Sequence, residues 1–169
     1  MTEDDRRYLP LPKLGDVGTA ATYGRYFDDF EPGMMLRHWP GRTITESDDH
    51  LFCMVTGNHH PLHLDHNYAE TTEFGKPVVV GNLVFETVFG MSVADVSGKA
   101  LANLAIEKIV FAKPTFHGDT LYAHTEVLEK RISQSKPDRG IVKVRTTGTN
   151  QRGEVVCTFE RSVMVPLRQ

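Results

Sequence analysis

From Leu101 onward the chain falls into four long stretches rich in β-branched residues: LANLAIEKIVFAKPTF (101–116), LYAHTEVLEKRIS (121–133), GIVKVRTTGTNQ (140–151) and EVVCTFERSVMVP (154–166). Apolar and polar positions alternate clearly in Ile141-Val142-Lys143-Val144-Arg145, the period of two of a strand with one face buried. His117-Gly118-Asp119, Lys136 to Gly140 and Asn150 to Gly153 separate the stretches. Such short, turn-rich gaps predict antiparallel hairpins. Before them lies the most apolar long segment, VVVGNLVFETVFGMSVADVSG (78–98), in which Asn82, Glu86 and Asp95 stand out as polar. Its valines and phenylalanines suit a strand, but its length and the stop at Gly98 favour a buried helix.

The first half of the chain is less regular. Residues 1–24 lack periodicity, carry Pro10 and Pro12, and read as an extended N-terminal arm. MLRHWPGRTIT (35–45) predicts a first strand interrupted at Pro40. Thr45 followed by Glu46-Ser47-Asp48 reads as a helix N-cap with acids in the first turn; Leu51, Phe52 and Val55 give an apolar stripe until Gly57 ends it. A polar loop and a short helical piece around His66–Thr72 follow. A buried helix against about four antiparallel strands is an α+β arrangement, expected as a single domain over 25–169.

Composition narrows the function. The net charge of −3 over 169 residues gives no global reason to expect a nucleic-acid partner. No window approaches the ~18 apolar residues of a membrane span, and MTEDDRRYLP has no apolar run of a secretory signal. Cys53 and Cys157 each lie in an apolar stretch and read as core residues of a cytoplasmic protein.

The densest chemistry is TGNHHPLHLD (56–65). His59, His60, His63, Asp65 and His66 are all metal-ligand types, but Pro61 breaks the run and no HExxH is present, so no metal is expected. A solvated loop without function is a second reading. In the third, a loop pinned by Pro61 holds His63 as a base, while Gly81 opens the apolar helix whose unpaired N–H groups attract negative charge. A base beside an oxyanion hole suits chemistry through an enolate.

Thr-Gly-Asn58-His-His-Pro61-Leu62-His63-Leu-Asp65 resembles the loop Gly-Asp-x-Asn-Pro-(Ile/Leu)-His-x-Asp of the MaoC-like (R)-specific enoyl-CoA hydratases, a hot-dog-fold family. Val80-Gly81-Asn82-Leu83 is similar to that family's His-Gly-Met-Leu. Pro114-Thr-Phe-His-Gly118-Asp119-Thr120-Leu121 is similar to its Pro-Val-x-x-Gly-Asp-Thr-Leu. The resemblance implies a long helix wrapped by a curved antiparallel sheet, pairing as a homodimer or a dimer of dimers. The implied reaction is reversible hydration of a 2-enoyl thioester, with coenzyme A as part of the substrate and no other cofactor.

Carried over by position, His63 falls on the catalytic histidine and Gly81 on the glycine that binds the thioester oxygen. The family aspartate falls on Asn58 and its following asparagine on His60, which with Asn82 and Asp65 is a candidate substrate-binding residue. Asparagine orients a water but cannot take its proton. Three accounts stay open: His63 acts alone; another carboxylate substitutes, with Glu86, four residues beyond Asn82, ahead of Asp65, which could equally cap a helix; or the protein only binds acyl thioesters, as an accessory to carrier-bound polyketide intermediates. Thioester hydrolysis suits the loop less well. Relatives with altered loops hydrate short branched dicarboxylic acyl-CoAs such as mesaconyl- or itaconyl-CoA. Arg42, Lys108 and Lys113 are candidates for a substrate carboxylate or CoA phosphates.

Overall fold

The structure, a computed structural model, describes residues 23–169. The arm expected at 1–24 therefore lies outside the described residues apart from Tyr23 and Gly24. Five strands form one antiparallel sheet: β1 (Met35–Thr43), β2 (Ala102–Phe111), β3 (Thr120–Ile132), β4 (Arg139–Thr149) and β5 (Val155–Pro166), in the order β1-β3-β4-β5-β2. Helices α1 (Glu46–Thr56), α2 (Pro61–Leu64), α3 (His66–Glu70) and α4 (Gly81–Ser92) all fall between β1 and β2.

β3, β4 and β5 form two of the three predicted hairpins, but β2 and β3 do not pair. β2 instead pairs with β5, with Ile106 opposite Arg161, at the edge farthest from β1. The backbone of the connecting segment is engaged elsewhere: Val79 donates to the carbonyl of Thr115 at 2.9 Å, and Val78 bridges to Phe116. The first strand shifts register between His38 and Arg42, around Pro40.

α4 lies against the sheet through Val84, Phe85 and Val88, which pack with Leu121, Ala123, Val156 and Phe159. Each such side chain, fully buried, contributes roughly 1.5–3 kcal/mol. Gly148 on β4 permits this approach, because a Cβ there would stand 2.4 Å from Val88 Cγ2. The helix is shorter than the apolar run. Residues 78–80 are extended, since the N–H of Val78 goes to Leu62, that of Val79 to Thr115 and that of Val80 to the Asp49 side chain. Beyond Ser92 the chain continues as a π-helical turn, Val93–Ser97.

Two polar side chains fasten this turn to the core. His38, buried on β1, bonds through Nδ1 to Asp95 at 2.8 Å and through Nε2 to Thr125 at 2.7 Å. Arg161, fully buried on β5, donates to Ser92 Oγ at 2.9 Å and covers the Phe89 ring, and burial pulls its guanidinium down to about 10. Neither residue belongs to an apolar pattern, and together they anchor the end of α4.

α4 is not buried all round, as its sequence suggests: Asn82, Glu86 and Gly90 form an exposed stripe. β2 is more open still. Leu104, Ile106, Val110 and Phe111 are all exposed on this edge strand.

Candidate active site

The loop after α1 is built from its own polar side chains. Thr45 is the N-cap as predicted and forms a capping box with Asp48, and Gly57, at φ 71°, ends the helix in the left-handed conformation. Asn58 Oδ1 accepts the N–H of His60 at 3.2 Å, and His60 Nδ1 accepts that of Leu62 at 3.2 Å. These bonds, with Pro61 at the first helical position, start α2 and place His63 within it. Asp65 caps α3 by accepting the N–H of Tyr68 at 3.0 Å. His60 and Asp65 thus shape the loop, and neither lines the cavity described next.

His63 Nδ1 lies 2.6 Å from the carbonyl oxygen of Val78. A carbonyl only accepts, so Nδ1 carries a proton, and in the neutral ring Nε2 then carries the lone pair, the form needed of a general base. His63 and Gly81 line one cavity of about 320 Å³, whose walls include Phe74, Val79, Val84 and Phe111. Gly81 begins α4, where the first N–H groups have no partner within the helix and the dipole favours negative charge. A Cβ on Gly81 would stand 3.3 Å from the Phe111 ring. The geometry thus brings a base and a helix N-terminus to one apolar hollow.

Two groups escaped the sequence reading. Asp49, fully buried in α1, accepts the N–H of Val80 at 3.0 Å and bonds His117 Nε2 at 2.9 Å. Its spacing of four from the buried Cys53, on one helix face, was the available signal. Together with the bonds from His63 and to Thr115, it pins residues 78–80, the approach to Gly81, from three separate elements.

Glu86 is placed differently from the expectation. It does share a face with Asn82, but that face is exposed, because Val84, Phe85 and Val88 turn the opposite one to the sheet. Glu86 lines a separate hollow of about 460 Å³ with Trp39, Arg42 and Met91. Neither Asn82 nor Glu86 lines the cavity of His63, and no carboxylate among the described residues does. Arg42 pairs with Asp48 at 2.9 Å and Lys108 with Glu160 at 2.9 Å, both away from the cavity; Lys113 does line it and pairs with Glu154 at 2.7 Å. His59 is exposed. Among the described residues no three His, Cys, Asp or Glu side chains converge to hold a metal, and no helix is long and apolar enough to cross a membrane. Both cysteines are free and buried, and burial pushes the Cys157 thiol up to about 11.

The mesaconyl-CoA hydratase family profile matches residues 13–169. The chain belongs to that family. It is 34% identical to the mesaconyl-CoA hydratase of Cereibacter sphaeroides over 145 residues, which are 86% of this chain and 42% of that longer protein. It is 31% identical to the (R)-specific enoyl-CoA hydratase of Rhodospirillum rubrum over 143 residues, covering 85% of this chain and 93% of that one. Among solved structures, a conserved hypothetical protein of Mycobacterium tuberculosis described as a double hot-dog fold superposes with a TM-score of 0.79. The two are 29% identical, over 86% of this chain and 45% of that one. The α+β architecture is thus the hot-dog fold, and members of the mesaconyl-CoA hydratase family reach twice the length of this chain by carrying further sequence.

Proposed function

We propose that this protein reversibly adds water across the α,β double bond of an enoyl-CoA, with a short, branched, dicarboxylic acyl group of the mesaconyl kind as substrate. The observation that carries the reading is the His63–Val78 bond, which leaves a lone pair on Nε2 in a cavity shared with Gly81. In the hydration direction Nε2 takes a proton from water as the oxygen bonds to the β-carbon. The double-bond electrons move toward the thioester oxygen, where the Gly81 N–H and the start of α4 stabilise the enolate. The imidazolium then returns its proton to the α-carbon on the same face. One base suffices for this syn addition, which fits a cavity without a carboxylate. Asn58 does not line the cavity; its oxygen is committed to the His60 N–H, and we assign its remaining NH₂ to orienting the water.

The apolar edge β2 supports a homodimer, since an exposed apolar edge strand is covered in a stable protein. The double hot-dog neighbour supports a second unit at such a position. Two free, buried cysteines suit a cytoplasmic setting. Loss of conjugated-thioester absorbance across a panel of enoyl-CoAs tests the activity, with mesaconyl-CoA expected among the best substrates. Tight binding of these thioesters without turnover would replace hydration by the binding-protein reading, which the missing carboxylate favours.

A further inference from the structure

The cavity contains two polar groups that the proposed hydration leaves unused. Thr115 is 2% exposed and lines the hollow with His63 and Gly81. Among the described residues its Oγ1 has no hydrogen-bond partner. Buried hydroxyls are almost always paired, and one left unpaired beside a cavity lacks a partner that a ligand can bring. Thr115 also stands where the motif Pro-Val-x-x-Gly-Asp carries valine, so a methyl of nearly the same shape would fill the position. A purely hydrocarbon acyl tail would bury this hydroxyl without satisfying it.

The second polar feature is two residues away. Lys113 lines the same cavity, at a bend in the segment from Phe111 to Thr115 that forms this wall. Its ammonium bonds Glu154 Oε1 at 2.7 Å, while Glu154 Oε2 independently accepts Asn150 Nδ2 at 2.9 Å and Arg152 Nε at 2.8 Å. Glu154 therefore keeps a cation and an amide if Lys113 turns toward the cavity. A hydroxyl and a releasable ammonium on one wall select an anion over a neutral polar group. We infer that Thr115 and Lys113 form the subsite for the distal carboxylate of the acyl group, and so determine the preference for a dicarboxylic thioester. This deepens the enoyl-CoA reading and rests on it for the placement of the thioester at Gly81.

Binding of two saturated thioesters, methylsuccinyl-CoA and 2-methylbutyryl-CoA, tests the subsite without requiring turnover. They share a carbon skeleton and the whole CoA moiety, and differ in ending with a carboxylate or a methyl. By calorimetry the parent should prefer the first; Thr115→Val and Lys113→Gln should each cut that preference about tenfold, and Thr115→Ser should keep it. The ratio of kcat/KM for mesaconyl-CoA over crotonyl-CoA should fall in parallel. No preference in the parent, or a preference untouched in both Thr115→Val and Lys113→Gln, overturns the assignment. Equal losses on both thioesters do so too, and assign Thr115 to the water and Lys113 to the CoA phosphates. If the parent prefers the carboxylate yet hydrates no enoyl-CoA, the hydratase reading falls and the subsite stands.

Discussion

Asp49 accepts the backbone N–H of Val80 at 3.0 Å, tying the helix that leads into the histidine loop to the residue before Gly81. Its other oxygen bonds His117, so a buried carboxylate is satisfied at both ends. Asp49→Leu strands the His117 ring and the Val80 amide, and should cost about 1–3 kcal/mol for each buried group left without its partner. Asp49→Asn keeps an acceptor for Val80 and should cost less. Urea denaturation of both variants checks the order, and a smaller loss in the leucine variant would count against the pairing.

His63→Ala should lower kcat on a good enoyl-CoA by roughly 10²–10⁴-fold, the range for loss of a general base. His59→Ala should leave it near the parent value, because His59 is exposed and outside the cavity. Steady-state kinetics on one substrate separates them.

Asn58→Asp should keep the loop, since a carboxylate accepts the His60 N–H as the amide oxygen does. The family's carboxylate is thereby restored in the loop that carries His63, and hydratase turnover should rise. Asn58→Leu removes the acceptor and should lower turnover about tenfold or more through lost orientation. A rise with leucine and a fall with aspartate would reverse the roles assigned to this position.

Gly81→Ala should reduce kcat/KM with little loss of stability, because its methyl would reach to 3.3 Å from the Phe111 ring and enter the cavity. Phe111→Leu should restore part of the activity in the double variant. Additive effects in the cycle would show that the two positions do not interact.

Glu160 is held by Arg145, Lys108 and Lys143, which bring its carboxyl from 4.5 down to about 2. A carboxyl depressed by folding stabilises the protein above its unfolded value, and that contribution disappears as pH falls through the folded one. Unfolding midpoints should therefore drop between pH 4.5 and about 2, and Glu160→Gln should show a flatter slope there.

The parts of this molecule legible in its sequence are those set by nearest neighbours. Thr45 and Gly57 bound α1 because capping and left-handed conformations are local chemistry, and His63 was visible because its loop carries its own turn residues. The partner of β2 was not legible, because it depends on residues 112–116 bonding to Val78 and Val79, a choice made across more than thirty positions of chain. Glu86 shows the same boundary: its spacing from Asn82 was right, but which face α4 turns to the sheet is decided by Gly148 and Val88. Asp49 was one of three acids in a first turn, and only packing singles out the buried one.

Phe111 belongs to two surfaces, as an exposed apolar residue of the edge strand β2 and as a wall of the cavity that holds His63. A second copy of the chain lying against β2, as proposed above, would press on that wall. Assembly and catalysis would then share a side chain, and specific activity would become a function of protein concentration, falling on dilution as the edge is laid bare.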